Sequence, residues 1–305
     1  MTVRLVCVGL ATVDLIQRVD RIPSADEKVE AGSAELAAGG PATNAAVAAA
    51  ALGAEVTLVT AVGAHPLAAV IRADLSMYGV SLLDATPTAR VAPPVSAVTV
   101  LASTGQRSIV SRNAGGLAAP APAALTGVLS GADAVLVDGH HPVLATAAAR
   151  AGRPLVVDAG SWRPVFAEIL PHAEVVACSA TFRHPDLPGP AAIRDLGARH
   201  VAVTAGPDPV RWFSPGAAGE VPVPPVTSVD TAGAGDVFHG ALAVAVARSW
   251  RDADQIKPGG AGPTDLPAAL RYAVAVAAVR VAHAGPRAWL ADPRLAALHL
   301  TAYPR

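Results

Sequence analysis

Short apolar runs rich in Val, Leu and Ala recur along most of the chain, and small or polar residues separate them. Runs of this length predict buried strands, and several alternate with longer stretches in which apolar residues have helical spacing. We predict strands at 3–10, 55–61, 134–139, 154–160, 174–179 and 200–206, and helices at 42–52, 67–78, 142–151, 189–197, 236–248 and 267–283.

This alternation of strands and helices predicts the fold class. Strands joined through helices pair in parallel, so we expect an α/β fold with a mostly parallel central sheet and helices on both faces. The segment 38–63 shows the unit most clearly, because two glycines precede a helix and Gly53 ends it before the next strand. In such a sheet, ligands bind beyond the carboxyl ends of the strands.

Two further segments depart from this rhythm. Residues 95–101 and 107–112 read as strands joined by a turn at Gly105, with no helix between them. Residues 28–36 have the pattern of an edge strand. We predict a small β substructure from these segments. Because no repeat or long linker divides the chain, we predict that 1–305 form a single domain.

Composition limits the partners and the compartment. The 305 residues are 52% hydrophobic and 15% charged, with a net charge of −1, so we expect neither a nucleic-acid nor a membrane partner. The two cysteines do not suggest a disulfide framework. Asp14 interrupts the apolar N-terminus, and no apolar run approaches the ~20 residues of a membrane span. We therefore expect a cytoplasmic protein.

The segment 229–240, VDTAGAGDVFHG, carries the candidate chemistry. Small residues before a helix let a phosphate approach backbone N–H groups that have no intrahelical partner. A carboxylate at Asp236 could accept a proton from an attacking hydroxyl during phosphoryl transfer. An ordinary aspartate N-cap explains the same residues. Phe238 stands where a dinucleotide fingerprint requires glycine, and the chain has no G-K-[ST] of a Walker A loop.

The segment DTAGAGDVFHGALA resembles the C-terminal signature of the PfkB, or ribokinase-like, family of carbohydrate and nucleoside kinases. The segment AGGPATNAAVAAAALGAEVTLVTAVG resembles the family's N-terminal signature, and VCVGLATVDLI resembles its first strand. The resemblance spans most of the chain and implies a ribokinase-like fold. It also implies ATP-dependent transfer of a phosphoryl group to a sugar or similar small molecule, with Mg²⁺ arriving on the nucleotide.

The resemblance assigns the catalytic base to Asp236 and the anion hole to the backbone of Gly233, Ala234 and Gly235. It also implies substrate and nucleotide contacts at separate groups of residues. The implied acceptor-binding residues are Asp14, Gly39, Gly40 and Asn44, with Arg112 and His140 as further candidates, and the implied nucleotide-binding residues are Thr204, Gly206, Ala278 and Gly285.

Several of these assignments have alternatives. Asp14 is also explained as a loop aspartate and Asn44 as a polar residue of a first helical turn. Arg112 is better explained as a solvated strand arginine, and His140 is also explained as part of loop structure. Asp230 corresponds to an aspartate near a monovalent-cation site, such as a K⁺ site, in some family members, but a turn or cap role explains it as well. The resemblance further implies a lid, formed by about 13–36 and 93–113, that covers the sugar and often forms a homodimer contact.

The chain also departs from the family pattern. Ser179 and Phe182 stand where many members have the Asn and Glu of an N-x-x-E motif, and Pro41 replaces the lysine of ribokinases. The nucleotide-side T-x-G-x-x-G ends in Pro209. The signatures look most like the branch of sulfofructose kinase and ketohexokinase, but His140 and His141 stand where that branch would have an arginine.

Two other functions remain open at this point. A nucleoside kinase needs an aromatic or apolar wall in its pocket, and Trp162 is the one aromatic residue just beyond a predicted strand end. The loss of the N-x-x-E motif also fits a ligand-binding regulatory protein with weak catalysis on the same fold. The intact segment around Asp236 argues against the second alternative.

Overall fold

The computed structural model describes residues 2–115, 119–253 and 263–300. Thirteen strands lie in these ranges, in two sheets. The strands are β1 (Arg4–Val8), β2 (Thr12–Val19), β3 (Ser33–Gly39), β4 (Glu55–Thr60), β5 (Val80–Asp84), β6 (Val95–Leu101), β7 (Arg107–Ser111), β8 (Ala134–Val137), β9 (Leu155–Ala159), β10 (Ala173–Ser179), β11 (His200–Ala205), β12 (Asp208–Ser214) and β13 (Ala217–Val221).

Eight α-helices lie in the same described ranges, and three short 3₁₀ helices accompany them. The α-helices are α1 (Pro41–Ala51), α2 (Ala68–Met77), α3 (Leu125–Ser130), α4 (Pro142–Ala149), α5 (Phe166–Ile169), α6 (Ala234–Ala253), α7 (Leu266–Val281) and α8 (Pro293–Leu300). No described helix has the length and apolar character that crossing a membrane requires.

The main sheet, as described, has nine strands in the order β13-β12-β11-β10-β9-β8-β1-β4-β5. The strands from β5 to β11 pair in parallel, whereas β12 and β13 add an antiparallel hairpin at one edge. Apolar side chains on the two faces of the sheet form two separate cores. Helices α1, α2, α6 and α7 contribute to one core, and α3, α4 and α5 to the other. The predicted α/β fold with helices on both faces is confirmed.

Small residues allow helices α1 and α6 to pack closely. Ala45, Ala46 and Ala49 of α1 are fully buried. A side chain at Gly240 of α6 would place its Cβ 2.4 Å from the carbonyl oxygen of Ala45, so only glycine fits there. This close contact between the helices brings Asn44, in the first turn of α1, beside the start of α6.

The second sheet has the strand order β3-β2-β6-β7, with β2 and β6 parallel and the two outer pairs antiparallel. Its β6–β7 turn contacts the main body at residues 229–231. Thr231 donates its hydroxyl to the carbonyl oxygen of Gly105 at 3.3 Å, and a Cβ on Gly105 would lie 2.5 Å from the carbonyl oxygen of Val229. The small β substructure expected from the sequence is therefore present, and it touches the segment before α6.

Several elements differ from the predictions. Strand β2 was missed because its middle residues are neither fully buried nor strictly alternating. Strand β3 begins at Ser33, later than the predicted edge strand at 28–36. Strands β5, β12 and β13 and helix α3 were not predicted, and the helix expected near 189–197 is a 3₁₀ helix that Gly197 ends in the left-handed conformation.

Candidate active site

A cavity of about 280 Å³ lies between the second sheet and the main body. Polar and charged side chains from both parts line it. The second sheet contributes Thr12, Asp14, Ser96 and Arg107, and the main body contributes Asn44, Asp230, Asp236, Arg280 and Arg287. The structure thus brings Asp14, Gly40, Asn44, Gly233, Gly235 and Asp236, which the sequence singled out, to one place.

Asp236 is half-buried in the first turn of α6 and faces Asn44. The Asn44 amide donates from Nδ2 to Oδ2 of Asp236 at 2.8 Å. Among the described residues, no donor reaches the second carboxylate oxygen of Asp236. One oxygen is therefore held in place by the amide, and the other is free to accept a proton or a hydrogen bond.

Arg287, which the sequence analysis missed, fixes the orientation of Asn44. Its Nη1 donates to Oδ1 of Asn44 at 3.2 Å, which leaves the amide nitrogen of Asn44 to face Asp236. Its Nη2 donates to the carbonyl oxygen of Ala38 at 2.6 Å and to the Asp74 carboxylate at 2.7 Å. The local sequence Gly-Pro-Arg at 285–287 does not predict this contact with Asn44.

Asp14 lies on β2 opposite Ser96 of β6. Thr12 donates its hydroxyl to the Asp14 carboxylate. Burial raises the pKa of Asp14, hydrogen bonds from Thr12 and Ser96 oppose the rise, and the charge of Asp236 adds to it. The effect of the Asp236 charge on the pKa of Asp14 agrees with the position of both carboxylates in the lining of one cavity.

The glycine pair before α1 makes room for these groups. A Cβ on Gly39 would lie 1.9 Å from Oδ2 of Asp14, so a larger residue would displace the carboxylate. Gly40 has a φ of 97°, in a region that side chains disfavour, and a Cβ there would lie 2.4 Å from the carbonyl oxygen of Leu10. Both glycines are therefore explained by close approach and backbone geometry beside the cavity.

The start of α6 has the geometry expected of an anion site. Gly233 has a φ of 71°, which turns the chain into the helix, and its carbonyl accepts from Val237 N at 2.9 Å. Ala234 N makes a long bond of 3.3 Å to the carbonyl oxygen of Thr231. The N–H groups of the first turn lack intrahelical acceptors and carry partial positive charge, so they can face a phosphate.

Asp230 lies in a buried network that includes a guanidinium. Its carboxylate accepts from Ala232 N at 2.8 Å, in the turn role considered above, and from Gly285 N at 3.2 Å. The Nη2 atom of Arg280 lies 3.2 Å from Oδ2 of Asp230. The residues around Asp230 therefore do not fit a monovalent cation, because the arginine already supplies the positive charge.

His140 lies outside the cavity lining and is almost fully buried. Its ring contacts the Asp138 carboxylate at 3.1 Å and Arg163 at 2.5 Å. Burial by itself would raise the pKa of Asp138, but His140 and the backbone donors hold it well below its usual range. Leu10 N and Ala42 N donate to the same carboxylate, so this cluster ties the ends of β1 and β8 to α1.

The other predicted contacts also lie outside this cavity. Arg112 is exposed just beyond β7. Thr204 is the penultimate residue of β11, and its hydroxyl donates to the carbonyl oxygen of Cys178 at 3.4 Å. The exposed Gly206 follows the strand in a turn with a φ of 64°. Ala278 is half-buried in the last turn of α7, three residues before the helix ends at Val281. Gly285 reaches the site only through its bond to Asp230.

The positions that depart from the family pattern have structural contacts. Ser179 bonds the hydroxyl of Thr181 at 2.8 Å, and Phe182 is buried in the second core. Trp162 packs against Phe166 and Phe182 and does not line the cavity. No cluster of three or more His, Cys, Asp or Glu suited to a metal occurs in the described part of the chain.

A further carboxylate, that of Asp158, lies close enough to Asp236 to be affected by its charge. Asp158, at the end of β9, is buried with its Oδ2 atom 3.4 Å from Nδ1 of His239. Burial raises the pKa of Asp158 to about 6, and the charge of Asp236 contributes, while His239 opposes the rise. His239 also contacts the carbonyl oxygen of Ala177 at 3.2 Å. The pair links α6 to the carboxyl ends of the central strands.

The profile of the pfkB family carbohydrate kinase matches residues 3–292. The chain belongs to this family. It is therefore a carbohydrate kinase, an enzyme that uses ATP to phosphorylate a sugar or sugar-like molecule. The family resemblance drawn from the two signatures is confirmed.

Individual relatives agree with this assignment. A ribokinase of Bacillus subtilis (strain 168) is 29% identical over 293 residues, which cover 92% of this chain and 94% of the relative. The structure of Arabidopsis thaliana ribokinase complexed with ribose and ATP is 23% identical and covers 99% of this chain and 100% of its own, with a TM-score of 0.73. A fructokinase with bound ATP from Xylella fastidiosa is 22% identical and covers 97% of each chain, with a TM-score of 0.71.

Proposed function

We propose that this kinase transfers the γ-phosphoryl group of ATP to a hydroxyl of a small sugar bound in the cavity, with Asp236 as the general base. The observation that carries the proposal is the geometry of Asp236. One oxygen is held by Asn44 at 2.8 Å, and the whole carboxylate lies in the first turn of α6, beside the N–H groups that can face a phosphate.

The chemistry needs little from the base itself. A carboxylate is a weak base, but in phosphoryl transfer most of the barrier reduction comes from positioning and charge stabilisation. Asp236 would accept the proton of the attacking hydroxyl as the bond to phosphorus forms, and ADP would carry away the charge of the leaving oxygen. The hydrogen bonds from Arg287 to Asn44 and from Asn44 to Asp236 keep the carboxylate aligned during this step.

The anion hole in this proposal is the backbone of Gly233, Ala234 and Gly235. The positive φ of Gly233 and the absence of large side chains support it, because a phosphate could approach the backbone closely. Mg²⁺ would arrive with ATP as part of the substrate. Thr204, Gly206 and Ala278 remain the proposed nucleotide contacts, and the carboxyl end of β11 is the expected location for such a ligand.

The acceptor in this proposal is a small polyhydroxyl molecule. Asp14 can accept hydrogen bonds from two hydroxyls, and the Asn44 amide can both donate and accept. Trp289 is the sole aromatic side chain among the described lining residues, and its Nε1 donates to the carbonyl oxygen of Pro286 at 3.1 Å. A nucleoside kinase would need more apolar surface around a base, so a sugar is favoured.

The second sheet would act as a lid formed by about 13–36 and 93–113 and extending to Gly39. Arg107 of β7 donates from Nη1 to the carbonyl oxygen of Thr231 at 3.0 Å and to its hydroxyl at 3.1 Å. These bonds connect the lid to the segment that leads into α6. Closure would exclude water and so suppress hydrolysis of ATP.

The second sheet also carries an apolar surface that would suit a homodimer contact. Leu36 and Val110 lie in one cross-strand row on the face of this sheet away from the cavity and are 60% and 78% exposed, and apolar surface of this kind favours a contact with a second copy. Light scattering on the purified protein tests the dimer.

A cytoplasmic location, as expected from the sequence, agrees with the two buried free thiols at Cys7 and Cys178.

The experiment that tests the function is ADP release from Mg·ATP across a panel of acceptors. The panel contains ribose and fructose, which the names of the relatives suggest first, and further ketoses, aldoses, sugar acids, polyols and nucleosides. Turnover on one class of sugar, lost in Asp236→Asn, would support the proposal and identify the acceptor class. Turnover on nucleosides alone would replace it with the nucleoside kinase, and equal rates in wild type and Asp236→Asn would remove Asp236 as the base.

A further inference from the structure

Helix α7 carries a charged residue inside an otherwise apolar stretch. Arg280 follows the run YAVAVAAV, and its side chain is only 3% exposed. Its partner Asp230 is 50 residues earlier in the chain and has a side chain that is 2% exposed. An arginine cannot lose its proton in a protein, so a buried one must be paired.

The guanidinium of Arg280 contacts three oxygens that converge on it. Nη2 donates to the Asp230 carboxylate at 3.2 Å, and Nη1 donates to the carbonyl oxygens of Asp230 at 3.4 Å and His283 at 2.9 Å. Carboxylate and carbonyl oxygens are also the ligands that hard metal cations take in proteins. Here these oxygens accept hydrogen bonds from the guanidinium of Arg280, a cation that is covalently part of the protein.

The network fixes the segment that leads into α6. Val229 N and Asp230 N both donate to the carbonyl oxygen of Val281, at 2.7 and 3.2 Å. Oδ1 of Asp230 accepts from Ala232 N, which lies next to Gly233 at the start of the anion site. Arg280 is thus bound to the residue that holds this turn, and neutralising Asp230 removes a buried charge beside the incoming phosphates.

We propose that Arg280 is a built-in replacement for a monovalent cation: it neutralises Asp230 and positions the 229–233 turn, so that catalysis does not require K⁺. The inference rests on the proposed function, because the turn matters through the anion site at α6. Arg280 acts through Asp230 and the turn, and is therefore a positioning residue. A tethered guanidinium has an advantage over a free ion, because its occupancy does not depend on the ion concentration.

The first measurement compares initial rates with and without KCl, at a constant ionic strength set with tetramethylammonium chloride. The wild-type rate is expected to be the same in both buffers. Arg280→Ala removes the guanidinium and leaves space for an ion. Its rate without K⁺ should fall by about 5- to 150-fold, the usual range for coupling between two sites, and K⁺ or guanidinium chloride at low concentration should restore part of it.

A second measurement does not depend on knowing the sugar. The melting temperature of Arg280→Ala should rise when KCl replaces tetramethylammonium chloride, whereas that of the wild type should not. Arg271→Ala is the matched control, because Arg271 lies on the same helix and is exposed. If no acceptor is turned over by any protein, the proposed function fails, but the melting temperatures still decide the role of Arg280.

Two outcomes would overturn the proposal. One is a strong stimulation of the wild type by K⁺, which would mean that an ion is still required beside the arginine. The other is an Arg280→Ala variant whose rate and melting temperature respond to neither K⁺ nor guanidinium, as expected of a purely structural residue. If Arg280→Ala does not fold, Arg280→Met keeps most of the side-chain length and removes only the positive charge. Wild-type-like turnover of Arg280→Met without K⁺ would likewise contradict the proposal.

Discussion

Asp230 and Asp236 are separated by one turn of small residues, yet their surroundings are opposite. Asp230 is buried against Arg280 and accepts two backbone N–H groups. Asp236 is half-buried, faces the cavity and receives one neutral amide, from Asn44. The first carboxylate has its charge fully compensated, whereas the second keeps an oxygen free among the described residues.

This difference shows how one residue type serves two purposes. A carboxylate that is paired with a buried guanidinium cannot leave that partner without creating an uncompensated buried charge, so it holds structure in place. A carboxylate that is aligned by a neutral amide keeps an oxygen available to a ligand. The pairing of Asp230 makes the turn rigid, and the lack of such a pairing leaves Asp236 suited to chemistry.

The largest effect should come from Asp236→Asn. Asparagine keeps the size of the side chain but cannot act as a base, so kcat should fall by about 10²- to 10⁴-fold, the range of general-base catalysis. Thermal stability should change little, because the loss of one negative charge from the first turn of a helix costs only about 0.3–1 kcal/mol. Asp208→Asn, at an exposed position of β12, is the control. If Asp236→Asn retains most of the activity, Asp236 is not the general base.

Asp230→Ala should affect stability first. Removing one partner of a buried ion pair leaves Arg280 uncompensated, which typically costs about 3–5 kcal/mol of unfolding free energy. Asp265→Ala is a matched control, since Asp265 caps α7 by accepting from Ala268 N and its loss should cost only ~1 kcal/mol. Urea unfolding of both variants gives the two values. Equal losses would mean that the buried pair contributes no more than a helix cap.

Asp158 extends the comparison to a buried carboxylate without a guanidinium. Because burial raises its folded-state pKa to about 6, the folded state binds more protons than the unfolded state between pH ~4 and ~6. Stability should therefore fall as the pH rises through this window, by no more than about 3 kcal/mol. Urea unfolding at several pH values should show the slope, and Asp158→Asn should remove it. An unchanged slope in the variant would assign it to other groups.

Arg287→Met tests whether the alignment of Asp236 matters. Loss of the donor to Oδ1 of Asn44 would let the amide rotate and release the Asp236 carboxylate, so kcat should fall by about tenfold, as for a hydrogen bond from a charged group. Arg287→Lys keeps the charge but not the fork of donors and should recover only part of the rate. Arg294→Met, which breaks an exposed ion pair with Asp292, serves as the control. A change in KM alone would indicate sugar binding as the role of Arg287.

Local patterns were sufficient for much of the fold and for part of the site. The apolar runs predicted the parallel strands of the main sheet except β5, because a strand that is buried on both faces has no polar alternation. The signature around Gly233 and Asp236 is continuous in the chain, and so is the glycine pair before Asn44. Strands β2, β12 and β13 escaped prediction, because a half-exposed strand at an edge or in a lid has no continuous apolar run.

The sequence by itself determined the α/β alternation and singled out 233–235 and Asp236 as the candidate anion site and base, since each depends on residues that are neighbours along the chain. Only the tertiary structure decided which charges are paired. Arg280 meets Asp230 across 50 residues, and Arg287 meets Asn44 across 243. His140 is held by Asp138 and Arg163 outside the cavity. Ion pairing depends on distance in space, and side chains far apart in sequence come within reach only when the sheet and its helices have packed.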